Sequence, residues 1–398
     1  MRRWALPLGA LVALLLAGAG LWWLMHHDLR AAFWTAIGLV VALLAAAVVL
    51  WRRGHRRTPL ALVGALVLAL VATAGYAWNL NSTLGQIDTV KPPPNWGSGH
   101  PDPEPTTAVN ILLMGSDNPN QLEDKPTVAE LMADGSWDPG AYRSDSLMLL
   151  HIAADRKSAS VVSIPRDSYV PIFDGDNVQH GKNKINSAFS FYGPFGTIRT
   201  VEHLTGLRID HMAIIDFEGF RDLTTALGGV DVYVPATLDD PKQHQHWEKG
   251  WHHIEGQVAL NYVRMRYNLP GGDFGRVARQ QNFLRAVLHE LTDDGTLGDP
   301  FKVRKVLKVI VRYVTVDSTW STGDIRSLAL GLRSLKPEKI SYATLPFDHF
   351  ENVPNVGDAN IVDAAAAKEL WQAVRANEVP AYLRKHPDDA LADPTGVS

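Results

Sequence analysis

Three apolar stretches separated by short polar segments dominate the first 80 residues of the chain. They contain no charged side chain and cover Trp4–Leu24, Ala31–Trp51 and Pro59–Trp78. Each has about the twenty residues that a helix needs to cross roughly 30 Å of hydrocarbon. Tryptophan and tyrosine lie at the ends of the stretches, as is typical of the membrane interface. The pattern predicts a membrane anchor of three transmembrane helices over residues 1–79.

Arginine is distributed unevenly around these stretches. Arg2 and Arg3 precede the first stretch, and Arg52, Arg53, Arg56 and Arg57 lie in the loop between the second and the third. The positive-inside rule puts that loop in the cytoplasm, so three spans would place the rest of the chain outside. A cleaved signal peptide would explain only the first stretch, and three uncharged segments in succession are unusual for buried helices of a soluble core.

Residues 80–107 are rich in proline, which predicts a semi-extended linker. Beyond them, short apolar runs alternate with segments of helical spacing. The predicted strands are Val109–Met114, Ser146–Ala153, Ala159–Ile164, His211–Ile215, Val230–Val234 and Ile340–Leu345. The predicted helices are Thr197–Leu204, Phe217–Leu227, Gln257–Met265, Phe274–Leu291, Val303–Val314, Asp324–Leu335 and Ala364–Ala376.

This alternation indicates an α/β fold with a central mixed sheet flanked by helices. We assign residues 108–292 to the main domain and residues 293–382 to its continuation. Residues 383–398 are rich in proline and aspartate, and we expect them to form a disordered tail.

Composition excludes several classes of function. The 398 residues include 38 basic and 42 acidic side chains, a formal net charge of −4, which argues against a protein that binds nucleic acid through a basic surface. The absence of cysteine excludes a disulfide scaffold, a thiol nucleophile and a cysteine zinc site. No P-loop, dinucleotide glycine motif or serine-hydrolase elbow occurs. The histidines between His244 and His253 could bind zinc, but their polar surroundings favour an exposed loop.

Arginine and carboxylate residues lie together at the ends of the predicted strands and helices. The segments are Gly115-Ser116-Asp117, Arg143-Ser144-Asp145, Pro165-Arg166-Asp167, Arg264-Met265-Arg266 and Gly272-Asp273-Phe274-Gly275-Arg276. Open α/β sheets bind ligands at strand ends, and the planar fork of arginine suits phosphate. Carboxylates among arginines suit Mg²⁺ that is also held by phosphate oxygens. The set indicates a pyrophosphate–Mg²⁺ site, and ordinary surface ion pairs are the alternative.

The same segments resemble the LytR–CpsA–Psr family and follow its order over Val109–Leu291. The similar blocks are NILLMGSD, RSDSLMLLHI, VVSIPRDSYV, KINSAF, IDHMAIIDFEGF, ALGGVDV, EGQVALNYVRMR and GDFGRVARQQ. The resemblance implies a domain that holds a polyprenyl-pyrophosphate lipid between sheet and helices. It also implies an enzyme of the bacterial cell membrane with an extracytoplasmic catalytic domain. The three apolar stretches predict that this enzyme is multi-pass, with more spans than the single one common in the family. Its partners would be the lipid bilayer, peptidoglycan and a polyprenyl-pyrophosphate-linked glycan, and nucleic acid is not expected. The reaction would transfer a teichoic-acid-like, arabinogalactan-like or capsular phosphoglycan to a peptidoglycan hydroxyl.

Matching motifs also imply roles for individual residues. Asp117 and Asp145 would hold a Mg²⁺ cofactor. The residues expected to bind the pyrophosphate are Arg143, Arg166, Arg264, Arg266, Arg276 and Gln280. The residues expected to act in catalysis are Arg166, Arg264, Arg266 and Asp273, the last by orienting Arg276. The general base stays open between Asp145 and Asp167.

The acidic segment Asn118–Tyr142 departs from the family pattern and is either a lid or a solvated insertion. Other functions stay open as well. One is a receptor that binds wall polymers or pyrophosphate lipids without turnover, and another is a polyprenyl-pyrophosphate hydrolase. A DNA-binding regulator is a third, against which the predicted topology and the negative charge argue.

Overall fold

The structure is a computed structural model that describes residues 78–103, 106–117, 127–241, 244–265, 272–292, 300–332 and 335–397, together with 38, 40, 41, 45, 47–54, 63 and 75. The chain divides into two units, Met1–Ser82 and Thr83–Ser398. The predicted transmembrane stretches lie mostly outside the described residues. Within the described part of the chain, no helix combines the length and the hydropathy that crossing a membrane requires.

The second unit contains strands and helices in alternation. The strands are β1 (Asp88–Val90), β2 (Val109–Asp117), β3 (Arg143–Ile152), β4 (Ala159–Ser163), β5 (Ser168–Phe173), β6 (Gln179–Lys184), β7 (His211–Asp216), β8 (Val230–Val234), β9 (Leu238–Asp240), β10 (Gln245–Trp247), β11 (Gly250–Ile254), β12 (Val314–Asp317), β13 (Ile340–Thr344), β14 (Phe347–Val353) and β15 (Gly357–Val362). The helices are α1 (Val128–Ala133), α2 (Asn186–Thr205), α3 (Phe217–Leu227), α4 (Gly256–Arg264), α5 (Gly272–Thr292), α6 (Pro300–Tyr313), α7 (Thr322–Gly331), α8 (Ala364–Arg375) and α9 (Val379–Lys385).

The main sheet has seven strands in the order β1–β12–β7–β2–β3–β4–β13. The pairs β1/β12, β2/β7 and β4/β13 are parallel, and the other neighbours are antiparallel, so the sheet is mixed. With this arrangement β2, β4, β7 and β13 all end at one edge of the sheet, and β3 begins there. We call this edge the strand-end edge.

Alternating side chains divide the apolar residues of each strand between the two faces of the sheet. Leu112 and Leu149 belong to a core that includes residues of α2 and α8. Their neighbours Ile111 and Leu150 belong to another core, which includes residues of α5 and α7. Helices therefore cover both faces, and the predicted α/β fold with a mixed, helix-flanked sheet is confirmed.

A second sheet has four strands in the order β14–β15–β5–β6. The residues that form these strands show no strong strand pattern in the sequence. β15 and β5 are parallel, and the outer pairs are antiparallel. The Asn360 backbone N–H donates to the Asp167 carbonyl at 2.9 Å, so this sheet begins directly beside the PRD segment that follows β4.

Two segments are more ordered than their composition predicts. Within the predicted linker, residues 88–90 form β1, and the Trp96 ring lies 4.8 Å from that of Phe195. Within the expected tail, the Leu391 N–H donates to the Tyr342 carbonyl, and Val397 is 2% exposed. In both segments a few apolar residues reach the core, and the prolines and aspartates around them hide this in the average composition.

Candidate functional site

The strand-end edge brings the two predicted metal ligands onto neighbouring strands. β2 pairs with β3 so that Asp117 lies opposite Arg143 and Ser116 opposite Ser144, while Gly115 lies opposite Ser146. Asp145 is therefore the extra residue of a β-bulge, a feature that redirects side chains and is frequent beside active sites. A Cβ on Gly115 would lie 3.1 Å from the Ser146 Cβ, so a larger residue at position 115 would crowd its partner in the β2/β3 ladder.

Asp145 belongs to a group of charged residues that we call the charged cluster: Asp145, Arg166, Asp167 and Lys184. Arg166 Nη1 lies 2.6 Å from Asp145 Oδ1, and Arg166 Nε lies 3.5 Å from Asp167 Oδ2. Lys184 Nζ lies 3.4 Å from Asp167 Oδ1. These side chains are about one-fifth exposed, at 18% for Arg166 and Asp145, 19% for Asp167 and 24% for Lys184. The cluster is thus half-buried but reachable by a ligand from solvent.

Backbone contacts fix the position of the charged cluster. β4 ends at Ser163, whose carbonyl accepts a hydrogen bond from the Leu345 N–H beyond the end of β13. The Arg166 carbonyl accepts from the Asn186 N–H at the start of α2, and the Ser168 carbonyl accepts from the Ile185 N–H. The PRD segment is therefore held between the main sheet, the second sheet and α2.

Two arginines of α5 are buried, unlike most arginines in proteins. Arg276 is 2% exposed and Arg279 is 1% exposed. Arg279 Nη2 donates to the Met265 carbonyl at 2.6 Å, and burial lowers the pKa of Arg279 to about 10. Two residues further on, Gln281 Nε2 donates to the Ala343 carbonyl of β13 at 2.5 Å. These bonds attach α5 both to the end of α4 and to the main sheet. Gln280, one turn after Arg276, is half-buried.

Arg264 lies near the end of β7, whereas the charged cluster lies at the start of β3 and after the end of β4. It is exposed at the end of α4, and its guanidinium lies 4.3 Å from the centre of the Phe217 ring. Phe217 follows Asp216, which lies opposite Ser116 in the β2/β7 ladder. Met265 has φ −58° and ψ 132°, so α4 has ended there. Arg266 and the side chains of Asp117 and Asp273 lie outside the described residues.

Part of the acidic insertion packs beside the same edge. In α1, Val128, Ala129 and Leu131 are buried in the core. Thr127 and Leu131 line a small cavity together with Ser116 and Asp216. Of the two alternatives for this insertion, a purely solvated segment does not describe residues 127–142, whereas residues 118–126 lie outside the described part.

Lys184 and Asp216 belong to this edge but were not among the predicted site residues. Lys184 ends the polar strand β6, QHGKNK, which has no apolar periodicity that would predict a strand. Asp216 caps α3 by accepting from the Gly219 N–H at 2.7 Å. Its position directly before a predicted helix is an N-cap signal that could have identified it.

The histidines between His244 and His253 do not converge on one point. His246 Nδ1 lies 2.6 Å from Asp239 Oδ1, whereas His253 Nδ1 lies 2.8 Å from Asp231 Oδ1. Hydrogen bonds to these carboxylates raise the pKa of both histidines. Among the described residues, no group of three or more His, Cys, Asp or Glu side chains is arranged to hold a metal ion.

Comparison with known proteins agrees with the motifs. The model of the LytR_cpsA_psr family matches residues 80–376. The chain is 30% identical over 369 residues to cell wall biosynthesis protein LcpA of Corynebacterium glutamicum, an alignment that covers 85% of this chain and 68% of LcpA. It is 36% identical over 166 residues to TagV of Bacillus subtilis, named polyisoprenyl-teichoic acid–peptidoglycan teichoic acid transferase, which covers 40% of this chain and 42% of TagV.

The fold is also similar to solved structures. The crystal structure of B. subtilis TagV superposes with a TM-score of 0.55 and 27% identity, covering 68% of this chain and 97% of TagV. A LytR-Csp2A-Psr enzyme from Actinomyces oris gives a TM-score of 0.55 at 17% identity, which supports the fold alone. Since the family model spans about three-quarters of the sequence, the chain belongs to the LytR_cpsA_psr family.

Proposed function

We propose that this protein transfers a phosphate-bearing glycan from a polyprenyl-pyrophosphate carrier to a hydroxyl group of peptidoglycan. The observation that carries the proposal is the charged cluster at the strand-end edge, where Arg166 contacts both Asp145 and Asp167. A half-buried guanidinium between carboxylates is positioned to exchange one of them for a phosphate oxygen. The names of LcpA and TagV, which refer to cell wall biosynthesis and to teichoic acid transfer, support the same reaction class.

The proposed step is a displacement at phosphorus. The acceptor hydroxyl oxygen forms a bond to the phosphorus that carries the glycan. The bond from that phosphorus to the bridging oxygen breaks, and polyprenyl monophosphate leaves with the electron pair. The hydroxyl proton passes to solvent or to one of the cluster carboxylates, Asp145 or Asp167. Positioning and charge neutralisation dominate such reactions, and several arginines at one edge provide both.

We assign the binding roles from the family motifs, and the contacts of Arg166 in the charged cluster support its role. Arg166 would hold the pyrophosphate from the PRD segment, and Arg143 from the start of β3. Arg264 would approach from the end of α4, and Arg276 with Gln280 from α5. Arg266 and Asp273 keep the roles that the motifs imply, in ligand binding and in orienting Arg276.

Asp117 and Asp145 suit a Mg²⁺ ion because they are carboxylates on adjacent strands, where phosphate oxygens and water would complete an octahedral set. When bound there, the ion would neutralise charge on the phosphates. Asp145 also contacts Arg166, so metal and arginine would bind the same ligand from neighbouring positions.

We further propose that residues 1–79 anchor the chain in the bacterial cell membrane by three helices and leave residues 83–398 outside the cytoplasm. The three uncharged apolar stretches and the arginine asymmetry support this topology. A cytoplasm-active reporter should give signal in the loop 52–57 and none after Ser398. Signal from the C-terminal fusion would contradict the three-span topology.

The test of function is a transfer assay with purified full-length protein, a radiolabelled lipid-linked phosphoglycan and peptidoglycan sacculi. We expect label to become covalently attached to the sacculi while polyprenyl monophosphate is released. Release without attachment would instead indicate a hydrolase, with water as the acceptor. Saturable binding of the lipid with neither product would indicate a receptor that does not turn over.

A further inference from the structure

Three phenylalanine rings form a cluster beside the proposed pyrophosphate site, and we call it the aromatic platform: Phe274, Phe347 and Phe350. The Phe274 and Phe347 rings lie 4.3 Å apart, Phe347 and Phe350 5.1 Å apart, and Phe274 and Phe350 5.8 Å apart. Phe274 belongs to α5, two residues before Arg276. Phe347 begins β14, two residues after Leu345, whose N–H bonds to the end of β4 just before the PRD segment. The platform is thus built from α5 and β14, and it lies beside the strand-end edge.

The outer part of this platform is open to solvent. Phe347 is 37% exposed and Phe350 is 62% exposed. β14 is the edge strand of the second sheet, and all its residues but the last are exposed. Large exposed aromatic side chains that contact one another beside a site suggest a surface that a ligand covers.

A β-bulge brings the two exposed rings together. In the β14/β15 ladder Phe347 lies opposite Val362 and His349 opposite Ile361, so Asp348 is an extra residue. In a regular strand, residues 347 and 350 would point to opposite faces, but one extra residue moves them to the same face. The sequence of β14 therefore produces the ring contact only because the strand is irregular at this point.

The surroundings of the aromatic platform carry carboxylates. His349 Nδ1 lies 3.0 Å from Asp348 Oδ2, and its Nε2 lies 3.5 Å from Glu351 Oε2. Across the hairpin, Asn352 Nδ2 donates to Asp358 Oδ1 at 2.6 Å. Even with His349 protonated, the carboxylates of Asp348, Glu351 and Asp358 leave an excess of negative charge, which repels the phosphates of the donor and an anionic membrane surface. They accept hydrogen bonds from hydroxyl groups, and the flat rings suit the apolar face of a sugar.

We propose that the aromatic platform binds a neutral sugar ring of the acceptor glycan and holds its hydroxyl towards the charged cluster. This inference rests on the proposed function, because it assigns the acceptor of that reaction to a particular surface. The division of charge supports it: arginines lie where the phosphate-bearing donor would bind, whereas the platform offers rings and carboxylates, which suit a neutral sugar ring.

The experiment measures acceptor binding without turnover, using full-length protein and chitotetraose as a neutral amino-sugar probe. Phe350→Ala and Phe347→Ala should each weaken chitotetraose binding by about 5- to 20-fold, the range usual for a stacking residue in a binding site. Phe350→Tyr should keep near wild-type affinity because it preserves the ring face. Trp251→Ala is the matched control, since Trp251 is 60% exposed but contacts Tyr233 in a different sheet.

A further measurement separates this proposal from its rivals. Binding of the lipid-linked donor should be unchanged in the Phe→Ala variants. Weaker donor binding with unchanged chitotetraose binding would overturn the proposal in favour of a donor contact, and unchanged chitotetraose binding in both variants would overturn it outright. Failure of the wild type to bind chitotetraose would also overturn it. Because neither binding assay requires transfer, absence of transferase activity alone would count against the proposed function and not against the platform.

Discussion

Asp145 and Arg166 lie 21 residues apart in the sequence and form an ion pair of 2.6 Å at the strand-end edge. The pair depends on the antiparallel β3/β4 ladder, which returns the chain to the edge where β3 began. Arg166 also contacts Asp167, so its guanidinium bridges the bulge of β3 and the PRD segment. This bridging geometry uses the width of the guanidinium group, which an ammonium group lacks.

Arg166→Lys should therefore impair the reaction although it keeps the positive charge. Losing one charge-assisted contact costs about 1.5–3 kcal/mol, which corresponds to roughly 10- to 150-fold in donor affinity or rate. The measurement is donor binding and transfer rate, with a thermal melt of each variant. Arg221→Lys is the control, because Arg221 is 40% exposed and lies 4.0 Å from Glu218. Equal activity of both Lys variants would mean that the cluster acts only through its charge.

The Mg²⁺ assignment predicts a change in metal dependence. Asp117→Asn and Asp145→Asn keep the side-chain shape but remove a charged ligand, so each should raise the Mg²⁺ concentration needed for half-maximal transfer. Excess Mg²⁺ should restore part of the rate, because the other carboxylate and the phosphate oxygens remain. The transfer rate is measured against Mg²⁺ concentration, with thermal melts as the folding control. Wild-type metal dependence in both variants would remove these aspartates from the metal site.

The attachment of α5 to the main sheet predicts a loss of stability. Gln281 is fully buried and donates to the Ala343 carbonyl. Gln281→Met removes the donor while keeping a similar shape, and a buried polar group left without its partner costs about 1–3 kcal/mol. The free energy of unfolding in urea should fall by that amount. In the control Gln257→Met, at an exposed position, the change should stay within about 0.5 kcal/mol. Equal effects of the two substitutions would contradict the anchoring role.

Asp317 at the end of β12 predicts a pH dependence of stability. Burial acts to raise its pKa, but hydrogen bonds from His211, Thr319 and the Met212 N–H outweigh burial, so the pKa lies below its usual value of 3.8. The native state thus binds a proton less readily than the unfolded chain. The stabilisation is complete above the unfolded value and is lost as the pH falls through the folded pKa.

Asp317→Asn should consequently destabilise the protein near pH 7, by about 1–3 kcal/mol, and should differ less from wild type at acidic pH. Urea unfolding between pH 7 and pH 3 measures both effects. Asp388→Asn, at an exposed position, serves as the control. An Asp317→Asn destabilisation that is equal at pH 7 and pH 3 would show that Asp317 does not contribute to the pH dependence of stability.

The sequence predicts the part of the fold in which apolar periodicity is strong. β2, β3, β4, β7 and β13 are visible as apolar runs, and Asp117 and Asp145 adjoin two of them. The sequence leaves open whether these two strands are neighbours, and the register shows that they are. The roles of the two aspartates as metal ligands remain a prediction.

The features that the sequence does not predict are mostly those whose order comes from tertiary contacts. β6 is entirely polar, so its residue Lys184 has no local signal that would place it beside Asp167. α1, by contrast, does have a local signal, a capping box in which Thr127 and Glu130 exchange hydrogen bonds. This helix lies within the segment interpreted as an insertion. The bulge at Asp348 depends on the pairing with β15, which residues 347–353 alone do not specify.

The place of β1 at the outer end of the main sheet has a mechanical consequence. β1 runs parallel to β12, and the backbone pairs Asp88, Thr89 and Val90 with Thr315, Val316 and Asp317. Tension that enters the domain through the residues before Asp88 pulls along β1, so it loads the bonds of this pairing together as shear and does not peel them apart one at a time. The main sheet thereby has a short shear clamp where the chain enters it. A force-extension measurement that pulls from the residues before β1 should record rupture of that clamp as a distinct event before the central strands separate.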